Sequence, residues 1–178
     1  MSIDDKNERG YTLIELTVVV ALIGMMLLIA VPKVRDTLLA DDLKAAARQL
    51  VGASREIRVE AIREHVDYIL HLDISHPGFW VYSADMTPEK MAEIRKKAAR
   101  FANGVKITEF SQPGEDKIHE GEVDIRFYRQ GYTDPAVLHL AKDERAFTVV
   151  FHPFLDKVSV YESDITFTFN GQQGAPGI

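Results

Sequence analysis

The sequence predicts an α+β fold in which a long, kinked N-terminal helix packs on an antiparallel β-sheet head. Three observations lead there. Residues 11–31 form an apolar run broken by a single charge, residues 39–61 repeat apolar side chains at spacings of three and four, and most of the chain beyond residue 66 alternates apolar and polar residues in short stretches set off by Gly, Pro and Asp. With 178 residues, 46% of them hydrophobic and 27% charged, the chain can build one sizeable core. Twenty-one Lys and Arg against 27 Asp and Glu give a net charge of −6, a field that repels polyanions, so no nucleic-acid partner is expected. The absence of cysteine excludes disulfide staples and thiolate chemistry.

Residues 1–10 are short and polar, with Asp4, Asp5 and Glu8 against Lys6 and Arg9. From Tyr11 to Val31 the only charge is Glu15, and at 1.5 Å per residue a helix of this length spans about 30 Å, one bilayer crossing. A buried helix of a soluble protein usually shows a polar stripe, whereas Leu16 to Val31 has a polar side chain only at Thr17. The run exceeds the ~7–15 residues of a secretory signal and lacks a small-residue cleavage site at its far end, so it is expected to be retained. The flanking charges, Lys6 and Arg9 on one side and Lys33, Arg35, Lys44 and Arg48 on the other, run against the positive-inside rule for a head on the outer face. Pro32 cannot donate to the carbonyl of Leu28 and crowds that turn, which predicts a kink where the helix leaves the membrane.

Arg9-Gly10-Tyr11-Thr12-Leu13-Ile14-Glu15-Leu16, followed by the apolar run and Pro32, closely resembles the class III signal of type IV pilins and type II secretion pseudopilins. In that family prepilin peptidase cuts after the glycine on the cytoplasmic side and N-methylates the new terminus. The resemblance implies that Gly10 ends a leader of residues 1–10, that Tyr11 is the methylated first mature residue, and that Glu15 is the fifth, an assembly residue. Tyr11 stands where the family usually has Phe, and the leader is net acidic. The residues have a physical reading of their own. Cleavage before Tyr11 creates a largely cationic α-amine, and a carboxylate four positions along lies on the same helix face. A charged side chain costs about 2.5–3.5 kcal/mol at the bilayer centre and less near an interface, so Glu15 calls for a cation, and the Tyr11 amine of the same or a neighbouring subunit supplies one. The competing reading has Glu15 snorkelling to the headgroups.

Beyond Pro32, residues 33–65 read as the amphipathic second half of the helix, with Leu39, Leu43, Ala46, Leu50, Ala53, Ile57 and Ala61 as its apolar stripe. Residues 12–64 as one helix would be roughly 80 Å long. Residues 66–170 read as a β-rich head. Tyr68 to Ile74 and Gly78 to Tyr82 form a hairpin across His76-Pro77-Gly78, and Thr87-Pro88 opens a helix over 88–102 with Met91, Ile94, Ala98 and Phe101 on its apolar face. Strands are expected at 105–110, 122–128, 136–141, 146–152, 157–162 and 164–169, and residues 171–178 form a flexible tail. This order, with Val123 to Phe127 leading to Gly131 and then Val137 to Leu140, Phe147 to Val150 and Lys157 to Tyr161, resembles the GspH-type minor pseudopilin domain, with the 88–102 helix as an insertion.

A few residues leave room for other chemistries. His65, Asp67, His71 and Asp73 share one parity and would offer metal ligands if a strand began early enough; the alternative is a solvated strand face with His65 still in the helix. His119, His139 and His152 lack ligand spacing, and no nucleophile elbow or phosphate loop is present. Trp80 and Tyr82 read as core or interface anchors, with a carbohydrate or base platform as the alternative. Lys90, Arg95, Lys96, Lys97 and Arg100 form the one basic cluster, a solvated face or a contact for an anionic lipid, polymer or partner.

Together these residues predict no catalytic centre, no metal and no cofactor. The resemblance implies a structural subunit of the type II secretion pseudopilus, held in the inner membrane by one pass with a periplasmic head. Its implied partners are other major and minor pseudopilins, prepilin peptidase, the inner-membrane secretion platform and membrane lipid. A minor type IV pilin of the FimT or FimU kind is the alternative within the fold. A singly anchored periplasmic enzyme or metal-binding protein is the alternative outside it.

Overall fold

In the computed structural model, residues 13–102, 104–154, 157–167 and 169 are described, without the side chains of residues 28–41. The chain divides into two units, Met1–Leu38 and Leu39–Ile178. Helix α1 (Leu13–Glu64) begins in the first and ends in the second. Its boundary at Glu64 is set by His65, whose φ of 57° is left-handed and stops the helical ladder. His65 therefore caps the helix from outside, although its place in the sequence pattern suggests a helical residue.

The second unit is built on the α1 stripe. Leu43, Ala46, Leu50, Ile57 and Ala61 are buried as the spacing predicts, and Ala53 packs at the margin of the core. Ala47 and Ser54 widen the buried face, and the Ser54 hydroxyl donates back to the Leu50 carbonyl at 2.7 Å.

The strands form two antiparallel sheets where one was expected. Sheet A has the order β3-β2-β1-β5, from β1 (Tyr68–Asp73), β2 (Gly78–Ser83), β3 (Ala99–Arg100) and β5 (Glu122–Phe127). Sheet B has the order β4-β6-β7-β8, from β4 (Lys106–Ser111), β6 (Ala136–Lys142), β7 (Arg145–Phe151) and β8 (Val158–Tyr161). Alternation assigns the faces. Leu70, Leu72, Val123, Ile125 and Phe127 of sheet A join Leu138, Leu140, Phe147, Val149 and Phe151 of sheet B and the α1 stripe in one apolar core.

Each sheet also has an outer face, and each is partly covered. Over sheet A lies α2 (Pro88–Lys96), which starts with Pro88 at its first position, as expected, but ends six residues before the predicted 102. The reason is tertiary. Ala99 and Arg100 pair with Phe79 and Gly78, the Phe101 N–H donates to the Pro77 carbonyl at 3.2 Å, and the Phe101 ring sits 5.8 Å from that of Phe79. Ala99 and Arg100 thus serve the sheet edge and Phe101 the core, and Ala98 lies past the end of the helix. Gly78 permits this approach, since a Cβ there would lie 2.6 Å from the Ala99 carbonyl oxygen.

The predicted strand at 164–169 is absent among its described residues. The chain is tied to β7 by one side chain instead of a ladder: the buried Thr148 hydroxyl donates to the Ser163 carbonyl at 2.8 Å and accepts from the Ile165 N–H at 3.1 Å. The Phe167 ring then meets His152 edge-on at 5.7 Å. The expected tail at 171–178 lies outside the described residues.

Candidate functional site

The first candidate is the start of α1. Gly10 and Tyr11, the expected cleavage and methylation positions, lie outside the described residues, as does the side chain of Pro32 and with it the expected kink. Glu15 sits in the first turn of α1, where a carboxylate complements the positive end of the helix dipole. Around it Leu13, Ile14, Leu16, Val18, Val19, Val20, Leu22, Ile23, Met25, Met26 and Leu27 are all exposed. Three consecutive valines cannot share one face of a helix, so the apolar surface runs all the way round. Thr17 does not interrupt it, because its hydroxyl donates to the Ile14 carbonyl at 2.8 Å. An exposed apolar surface of this extent marks a site of contact with a membrane or another protein. Among the described residues no helix is long and apolar enough to cross a membrane.

The second candidate is the outer face of sheet A. Strand register puts Trp80 and Asp124 on either side of His71. The His71 ring lies 4.0 Å from that of Trp80, its Nδ1 is 2.6 Å from Asp124 Oδ1, and its Nε2 is 3.1 Å from Glu122 Oε2. From α2, Arg95 pairs with Glu122 and places its guanidinium 5.2 Å from the Trp80 ring centre. Desolvation, followed by the charge of Asp124, raises the Tyr82 phenol above its ordinary pKa. His71, Trp80, Tyr82, Met91, Arg95 and Glu122 line a cavity of about 330 Å³.

The alternative metal quartet does not assemble. Asp67 accepts from the Arg129 N–H at 3.0 Å, Asp73 accepts from the His76 N–H at 2.8 Å, and His71 turns to Asp124 and Glu122. Among the described residues no three His, Asp or Glu side chains are arranged to hold a metal ion. Nor is the His71 face simply solvated, since α2 overlies it. The other histidines hold local structure. His139 binds Asp164 at 2.8 Å, His119 donates from Nδ1 to the Thr108 carbonyl at 2.9 Å, and His152 meets the Ser159 hydroxyl at 2.9 Å. Burial, and secondarily Lys157, pushes the His152 imidazole pKa down.

The basic cluster divides. Arg95 joins Glu122, Lys97 pairs within α2 to Glu93 at 3.5 Å, and Arg100 donates to the His76 carbonyl at 2.7 Å. Sequence reasoning missed that Arg95 and Trp80 share a site with Glu122. Together the strand pairings that bring β2 and β5 to either side of β1 span more than forty residues of chain and leave no local signal.

Comparison with known proteins adds two findings. The prokaryotic N-terminal methylation motif matches residues 5–31. The crystal structure of the minor pseudopilin EpsH from the type II secretion system of Vibrio cholerae aligns with a TM-score of 0.53 at 12% identity, covering 71% of this chain and 98% of that one. A second structure of EpsH aligns with a TM-score of 0.47 at 12% identity, covering 68% and 97%. No curated protein matches by sequence. The chain thus carries a prokaryotic N-terminal methylation motif and, across 71% of its length, the α+β fold of a minor pseudopilin.

Proposed function

We propose that the chain is a minor pseudopilin, a structural subunit of the type II secretion pseudopilus that supports protein export across the outer membrane. The observation that carries this reading is the combination, in one chain, of the methylation motif at 5–31 with a fold like that of EpsH. The exposed apolar turns from Leu13 to Leu27 support it further, because a subunit that moves between a bilayer and a fibre needs a helix with no polar face.

In this proposal residues 1–10 are a leader, cut after Gly10 by prepilin peptidase, and Tyr11 is N-methylated. Residues 11–32 cross the inner membrane and pack against other major and minor pseudopilins, with Pro32 bending the helix. Residues 33–65 are the spine of a periplasmic head that extends to 170, and residues 171–178 are a tail. Glu15 takes its place in the fibre by pairing with a Tyr11 amine, and a subunit out of register would leave a charge unmatched among packed helices. The inner-membrane platform of the secretion system loads the subunit. The protein works by assembly, without turnover or cofactor.

Export tests the proposal. Deleting the gene in its own bacterium should leave secreted enzymes in the periplasm, and the intact gene should restore them to the medium. Undiminished export from the deletion strain, with pilus-dependent traits lost instead, would replace this reading with a minor type IV pilin.

A further inference from the structure

The groove beneath α2 has features that its fold alone does not need. Its floor is the Trp80 ring, braced by His71 at 4.0 Å, its wall carries the Glu122 carboxylate, and the Asp124 carboxylate lies behind His71, 2.6 Å from Nδ1. One guanidinium already occupies it: Arg95 stands over Trp80 and pairs with Glu122. An indole face beside a carboxylate matches the planar, weakly hydrated guanidinium better than an ammonium. His71 bridges both carboxylates and so fixes their spacing.

The element that supplies Arg95 is loosely held. No residue of α2 is buried, and its N-cap Thr87 makes no side-chain hydrogen bond to the helix. The carboxylates stay reachable, with 39% of the Glu122 side chain and 53% of the Asp124 side chain exposed. Glu122 faces the Arg95 guanidinium in the groove, Asp124 adds a second carboxylate beside it through His71, and Arg126, on the same sheet face, lies over the Tyr128 ring at 6.0 Å.

We infer that this groove is a recognition site for an arginine side chain presented by a partner protein, and that Arg95 is its resident stand-in, displaced with α2 when the partner docks. Charge complementarity selects the occupant, and the cis guanidinium shows the pose. The incoming arginine stacks on Trp80 and forms its ion pair with Glu122, while Asp124 adds a second negative charge. The site requires nothing of the N-terminal helix and goes beyond the proposed secretion role.

Trp80 is the only tryptophan, so its fluorescence reports this site alone. The full-length protein in detergent micelles is titrated with acetyl-Gly-Arg-Gly-amide, and in parallel with the citrulline tripeptide, which keeps the shape and lacks the charge. A saturable change with the arginine peptide alone is expected. It should be about tenfold tighter in Arg95→Ala, which removes the internal competitor, and lost in Glu122→Gln. Both substituted side chains are at the surface, and circular dichroism checks that the variants fold. No saturable change in folded Arg95→Ala, an equal response to citrulline, or weaker binding in Arg95→Ala would each overturn the inference.

Discussion

Leu16 and Leu50 are the same residue on the same helix with opposite surroundings, which makes them a matched pair for asking what α1 does. Leu50 is fully buried in the core, whereas Leu16 is 62% exposed. Leu50→Ala removes an isopropyl group, worth about 2.4 kcal/mol in transfer free energy, and leaves a cavity between the helix stripe and the sheets, for a total of about 3–4 kcal/mol. At roughly 2–4 °C per kcal/mol for a chain of this size, the melting temperature of the head should fall by about 6–16 °C. Leu16→Ala trims a side chain that is already exposed and should leave that transition unmoved within about 0.5 kcal/mol. Near-ultraviolet circular dichroism of the full-length protein in micelles follows the transition through the aromatic residues of the head. Equal melting temperatures for the two variants would refute the assignment of the second half of α1 as the spine of the core.

Three further perturbations separate the remaining parts of the account. Glu15→Ala should be processed and inserted normally but should enter fibres poorly, as read by the fraction of subunit in sheared pseudopili; unchanged incorporation would remove the proposed amine pairing. Thr148→Val deletes a hydroxyl that ties down Ser163 and Ile165 and should cost about 1–3 kcal/mol, seen as earlier proteolysis near residue 163, while equal protection would show that other contacts hold the segment. Tyr68 donates to Glu64, which pushes its phenol up to about 12 and holds the Glu64 carboxyl below its ordinary range. Because the folded state keeps a proton that the unfolded chain loses near pH ~10, this contact stabilises the fold below that pH and its contribution disappears as pH rises towards about 12. Absorbance at the phenolate band should therefore lose its most alkaline transition in Tyr68→Phe or Glu64→Gln, and an unchanged titration would refute the coupling.

Much of the head was legible in the sequence because its elements obey local rules. The α1 stripe from Leu43 to Ala61 has one period throughout, and the apolar stretches of β1 and β2 flank a Pro-Gly turn, so local pattern alone placed them. Two of the misreadings share a cause, a partner far away in the chain. Phe101 continues the apolar spacing of α2, yet it is claimed by Pro77 and Phe79, more than twenty residues upstream. The alternation at 164–169 looks like a strand, yet Thr148 captures the backbone with a side chain where a ladder would need an open edge. His65 fits the helical pattern as a residue type, and only its left-handed backbone shows that the helix has stopped. The two-sheet arrangement and the site around Trp80 depend on pairings between strands far apart in the chain, and no local pattern encodes those.

The N-terminus of the mature protein tests the central claim most directly. Intact-mass and N-terminal peptide mass spectrometry on protein extracted from the membranes of its own bacterium should find a chain beginning at N-methylated Tyr11, and Gly10→Ala should retain residues 1–10. A chain beginning at Met1, or one cut beyond residue 31 so that the head is released from lipid, would contradict the account.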